Sequence, residues 1–235
     1  MASIKDALEE SFQENSSIPK FILFSIPLYA CISYKSIPFY NILLCFTIIL
    51  LFGFTAICTN NVKNSNMRVL PTFNILKILY IGVKGIITLA PMIIGIYFLG
   101  QYVGNLIGSL NLDIKLINTF TYIIYSLLGS IVITSYLLFA NKFEIIDAYN
   151  FKAIYKYSPD ILISLIFMVL MMAIVDAVIV APVTYIIWLF FGIPHPIAIF
   201  FWSIVGILNL SMLGHYLAQI SYEIIEVKES KNKDL

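Results

Sequence analysis

The sequence predicts an all-α, polytopic helical membrane protein with about six transmembrane helices and amphipathic interfacial helices, forming a single integral membrane domain over residues 1–235. Three observations carry this. Apolar residues make up 60% of the chain and charged ones 11%, with a mean hydropathy of +0.94, a composition that belongs to bilayer proteins. Apolar runs near the length needed to cross a bilayer, about 20 residues, recur along the chain. Lysine and arginine fall mainly on alternate connections.

Residues 1–20 predict an amphipathic segment on the cytoplasmic surface. Ile4, Ala7, Leu8 and Phe12 recur at helical spacing, Lys5, Asp6, Glu9 and Glu10 take the other faces, and Ser3 is placed to cap. Phe21–Ser33 and Phe39–Cys58 follow as a tight helical hairpin split at Tyr34–Pro38, the first arm short and the second of full length. Asn60–Asn66 predicts a polar loop. After Pro71 the pattern becomes an amphipathic interfacial helix, with Ile75, Leu76, Leu79 and Val83 on its apolar face and Asn74, Lys77 and Lys84 opposite. A third span, Gly85 to Gly108, contains Pro91 as a kink and aligns Gly100, Gly104 and Gly108 on one face, where small residues permit close helix packing.

A short loop with Asp113 leads into the fourth span, Leu116–Ala140. Asn141–Pro159 is the second sizeable polar connection, in which Asn150 predicts an N-cap and Tyr149 a staple onto Ile154. The fifth span starts near Asp160 and reaches Gly192. His195 lies in the turn between Pro194 and Pro196, and the sixth span runs from Ile197 to about Ser221, followed by a mixed-charge tail over 223–235. Tyrosine and tryptophan near the run ends suit interfacial anchoring.

With six spans, Lys35 and Lys115 are the two of the fourteen basic residues on the far side. Lys5, Lys20, Lys63, Arg68, Lys77, Lys84, Lys142, Lys152, Lys156, Lys228, Lys231 and Lys233 share the near side. The positive-inside rule then places both termini in the cytoplasm and the chain in the cytoplasmic membrane. Leu28–Cys31 loosely matches a lipoprotein cleavage motif, but an acid-rich segment precedes it, so a retained first helix is expected.

The chemical lead is Asp176, one acid inside the long fifth apolar run. An ionisable residue there is costly and marks a functional-site hypothesis. At about 1.5 Å per residue, Asp176 lies roughly 24 Å from Asp160, Gln101 roughly 25 Å from Lys84, and Asn209 roughly 21 Å from Glu223. Asp176, Gln101 and Asn209 are therefore expected at one level, as a hydrogen-bonded intramembrane cluster, because a carboxyl in hydrocarbon must pair, bond or take up a proton. Pro182 kinks the same helix and frees the carbonyl of Val178, and broken helices beside an acid recur in transporters. Ser211, His215, Gln219 and Tyr222 share one face of the sixth span, directed at headgroups or neighbouring helices.

Cys31, Cys45 and Cys58 lie in or beside apolar runs without CxxC or Cys/His spacing, so no metal site and no cofactor are expected. A net charge of +1 with dispersed basic residues gives no reason to expect nucleic acid. The bilayer is one partner; another membrane protein or a second copy of the chain is the other. The expected role is non-enzymatic, scaffolding or modulating another membrane component. The alternative is a small ion, proton or solute transporter using Asp176 and the kinked helix. A lipid-modifying enzyme would need a catalytic cluster that these spacings do not supply.

Three stretches carry a family resemblance: the N-terminal Ile4–Phe12 piece, Leu70-Pro71 leading through an amphipathic stretch to Lys84-Gly85, and Asp147–Ile154 before the fifth span. Through them the chain resembles an uncharacterised family of prokaryotic multi-span integral membrane proteins, catalogued as a domain of unknown function. That resemblance implies a helical protein of a bacterial or archaeal membrane and transfers no activity and no functional residue.

Overall fold

The structure, a computed structural model, describes residues 4–64, 69–109, 113–192 and 195–226, all helices and short connections without strands. The helices are α1 Ile4–Phe12, α2 Ser17–Ser33, α3 Tyr40–Lys63, α4 Ile75–Gly108, α5 Ile114–Lys142, α6 Ile145–Ala148, α7 Phe151–Val175, α8 Ala181–Phe191 and α9 Pro196–Ser221. Five stretches are long and apolar enough to cross a membrane: α3, α4, α5, the run Phe151–Phe191 and the run Pro196–Ile225. A sixth exists if α1 and α2 count together, and these are bent from one another by 98°.

Helix α2 has 17 residues, about 26 Å of rise. It runs antiparallel beside α3, with Phe24 against Phe54 at 5.0 Å between ring centroids and Cys31 Sγ 3.2 Å from Thr47 Oγ1. Tyr29 meets Phe200 of α9 edge to face at 5.6 Å. The helix therefore occupies the same slab as the apolar part of α3.

Side-chain caps set several starts. Asn74 accepts from the Lys77 N–H at 3.0 Å, Asp113 from Lys115 at 2.7 Å and Asn150 from Ala153 at 3.2 Å. The start of α9 has Pro196 in its first turn and His195 Nδ1 accepting from the Ile197 N–H at 3.3 Å. Ser3, Arg68, Pro194 and residues 227–235 lie outside the described residues, so the Ser3 cap and the tail expected there are not among them. The first residues expected in that tail, 223–226, instead continue the last helix as a π turn, Tyr222–Glu226, with Ile224 and Ile225 buried.

Helix α3 is the axis of the packed core, flanked by α2, α4, α5 and α9. Its crossing with α4 depends on two glycines. A Cβ at Gly53 would stand 2.0 Å from the Ile78 carbonyl oxygen, and one at Gly82 would stand 2.1 Å from that of Ile49. Helix α9 approaches at Gly214, where a Cβ would meet Cys58 Cβ at 2.8 Å. Backbones this close maximise van der Waals contact, the main driving force where lipid is as apolar as the helix.

Three expectations need correction. The amphipathic stretch after Pro71 is not a separate interfacial helix but the first part of α4, which runs on through Pro91 to Gly108. Its buried face is Ile78, Ile81, Gly82 and Gly85, while Leu76 and Val83 are exposed; the face turned to α3 is centred on Gly82, not on the expected stripe of large residues. The loop expected from Asn60 is helix as far as Lys63. There the Asn60 amide donates to the carbonyls of Ala140 (2.9 Å) and Asn141 (2.6 Å), and Asn61 donates to that of Val69 (3.1 Å). Polar side chains that find carbonyl acceptors can stay in a buried helix.

The packing glycines of α4 also divide. Gly100 faces the Tyr125 ring, 2.5 Å from where its Cβ would stand, whereas Gly104 and Gly108 meet nothing within 4 Å. The end of α4 and the facing start of α5 splay away from the core, and depth along a helix does not reveal that.

Candidate functional site

Helix α7 reaches Val175 and passes into one π turn, Asp176–Val180, before α8. The Ala181 N–H donates to the Asp176 carbonyl five residues back. Pro182 explains the wide turn: it has no N–H, and its ring would clash with the Val178 carbonyl in a regular helix. One extra residue in the turn relieves that crowding. Thr184 then donates its hydroxyl to the Val180 carbonyl at 2.7 Å.

The π turn carries the Asp176 carboxylate to α9. Asn209 Nδ2 donates to both carboxylate oxygens, at 3.3 and 3.4 Å. Both distances lie beyond the usual N–H···O range of about 2.7–3.2 Å, so this is one shared, weak contact. Asp176 and Asn209 are each half-buried. A carboxylate offers about four acceptor positions, of which one amide satisfies a fraction. Gln101 does not join them: it is exposed on α4, whose broad contacts are with α3, α5 and α6. The pair stands at the edge of the bundle, since Val178 and Ile179 are exposed and α8 buries none of its residues.

A second polar constellation lies at the opposite, packed end, where sequence reasoning assigned no site. The 98° bend folds α1 back onto α9. Glu10 Oε2 lies 2.7 Å from His215 Nε2, and His215 is 1% exposed. Beside it Ser11 and Ser211 hydroxyls are 2.9 Å apart, both fully buried, and the Ser11 hydroxyl also reaches the Ala7 carbonyl at 2.7 Å. Glu14 pairs with buried Lys20 and accepts from the Leu70 N–H at 3.3 Å, while the Lys20 ammonium lies 5.9 Å from the Phe73 ring centroid. Lys63 donates to Ser221 at 3.1 Å and Thr59 meets the Tyr136 hydroxyl at 3.1 Å.

These contacts make α1 a fitted cover on the end of α9, not a free surface helix. Ser211 and His215, one turn apart, were visible as a polar stripe; Glu10 and Ser11 were visible as polar neighbours on α1. Their meeting follows from the bend at Gln13–Ser16, which hydropathy does not report. His215 Nδ1 is buried without a hydrogen-bond partner.

Among the described residues, no group of three or more His, Cys, Asp or Glu is placed to hold a metal ion. Cys31 and Cys58 are buried and Cys45 is exposed, all free thiols. An apolar chamber of about 470 Å³ lies between α3, α4, α5, α7 and α9, with Tyr136 and Thr55 supplying its few polar atoms. No protein-family model, curated protein or solved structure matches the chain.

Proposed function

We propose that the chain is a non-enzymatic integral membrane protein that scaffolds or modulates another membrane component through the face formed by the π turn and α8. The observation that carries this reading is a helix of 11 residues, Ala181–Phe191, with none buried, joined directly to a half-buried carboxylate held by one long amide contact. A carboxyl left short of donors in hydrocarbon is satisfied when a partner helix brings an amide, hydroxyl or cation to it. Tyr185, Trp188 and Phe191, at three-residue spacing, are all exposed on α8 and supply large apolar area to the same contact. The partner is another membrane protein or a second copy of this chain, and nucleic acid is not involved.

In this reading both termini are cytoplasmic and the membrane is the cytoplasmic one of a prokaryote, as the distribution of lysines and the family resemblance suggest. The second reading is transport of an ion, proton or small solute. The π turn beside Asp176 favours it, since such turns recur at functional sites in helices.

Reconstitution separates the two. Purified protein in vesicles is assayed for proton and ion flux, wild type against Asp176→Asn, alongside affinity purification from mild detergent. The scaffold reading expects no flux from either protein and a stoichiometric partner, or dimer, that Asp176→Leu releases. Flux abolished by Asp176→Asn overturns it in favour of transport.

A further inference from the structure

A cavity of about 900 Å³ opens between α4, α5 and α7, with Gly95 and Leu99, Leu127 and Ile131, and Ile154 and Lys156 among its walls. Its volume lies in the upper part of the range for ligand sites, roughly 300–1,000 Å³. The walls are apolar apart from Lys156, Ser158 and Ser130 with their neighbouring main chain. Gly95 borders open space, since a Cβ there would meet nothing within 4 Å.

The position of the lysine is the informative point. Ser158 is tied to Thr134 of α5 at 3.2 Å and to the Ile154 carbonyl at 2.6 Å. Thr134 lies eight residues before Lys142, roughly 12 Å along α5. Lys156 stands two residues nearer the start of α7, on a different face of the helix from Ser158, and is exposed at the edge of the crevice. Its ammonium stands 5.0 Å from the Tyr157 ring centroid, and Lys152 lies one turn earlier on the same helix. Asp160, one turn later, is the acid of α7. Tyr155, 86% exposed, flanks the mouth. Lys156 is exposed beside these apolar walls, with Lys152, also exposed, one turn away, and basic pockets between transmembrane helices take the headgroups of anionic lipids.

We propose that this crevice binds an anionic phospholipid, its phosphate on Lys156 with Lys152 behind it and one hydrocarbon chain along Gly95, Leu99, Leu127 and Ile131. The charge at the mouth selects the headgroup, and the apolar walls hold the chain. This site is separate from the α8 face and stands or falls independently of the proposed role of Asp176.

The test uses full-length protein in detergent, with phosphatidylglycerol, phosphatidylcholine of matched chains, or inorganic phosphate alone added. Retained lipid is read by native mass spectrometry and stability by thermal unfolding. Phosphatidylglycerol is expected to raise the midpoint by about 2–4 °C over phosphatidylcholine. Lys156→Gln is expected to lower the preference about fivefold, with Lys152→Gln acting in the same direction. Gly95→Leu, whose Cβ would meet nothing within 4 Å and whose side chain adds bulk at the crevice, is expected to reduce retention of both lipids, and Leu99→Trp is a second filling variant read the same way. Equal retention of the two lipids by wild type, an unchanged preference in Lys156→Gln, or equal stabilisation by inorganic phosphate alone would each overturn the assignment.

Discussion

Glu10 and His215 are 205 residues apart in sequence and 2.7 Å apart in the fold. One lies on an amphipathic N-terminal helix, the other on the last spanning helix, and their contact closes the packed end of the bundle. The neighbouring Ser11–Ser211 pair repeats the link one turn away. Together they hold α1 in place although it is bent away from α2 by 98°.

His215→Ala removes a side chain that is 1% exposed and leaves Glu10 without its partner. A charge-assisted hydrogen bond contributes about 1.5–3 kcal/mol, so a loss on the order of 2 kcal/mol is expected. Limited proteolysis provides the check: cleavage within residues 4–16 should accelerate several-fold more than cleavage elsewhere. Uniform sensitivity along the chain would mean that the pair does not hold α1.

The glycines of α3 and α4 divide into two classes with opposite outcomes. Gly82→Leu places a Cβ 2.1 Å from the Ile49 carbonyl oxygen, and forced separation of the helices costs on the order of 3 kcal/mol or more. Gly104→Ala meets nothing and gains helix propensity, up to about 1 kcal/mol. Thermal midpoints in one detergent compare the two: a sharp fall for Gly82→Leu and no fall for Gly104→Ala.

The topology is checked with single cysteines in a background lacking Cys31, Cys45 and Cys58. Lys35→Cys and Lys115→Cys should react with an impermeant maleimide on intact cells, and Lys142→Cys only after permeabilisation. Protection of Lys35→Cys on intact cells would remove α2 from the spanning helices.

Much of this fold is legible from local chemistry. Asn150, a short polar residue before an apolar run, is expected to cap the helix that follows and does so; Asn74 and Asp113, expected on a polar face and in a loop, turn out to cap in the same way. Counting rise along the helices puts Asp176 and Asn209 at one depth, and the two touch. The same count puts Gln101 there, yet Gln101 is exposed, because depth does not determine azimuth and α4 borders α3 and α5. The apolar face of α4 was misread for a related reason. In a bilayer, lipid-facing and core-facing residues are both apolar, so Leu76 and Val83 look like core while Gly53, Gly82 and Gly214 carry the crossings. Asn60 and Asn61 resemble a loop until their carbonyl acceptors are known. The Glu10–His215 contact was illegible because it depends on a chain reversal.

The central claim is that the π turn and α8 form a partner-binding face with Asp176 as its polar contact. A photo-crosslinking amino acid at Leu189, 61% exposed on α8, tests it most directly in native membranes. One discrete crosslinked product, lost in the Asp176→Leu background while expression and fold are retained, is the predicted result. Crosslinks to lipid alone, or a discrete product indifferent to Asp176→Leu, would contradict it.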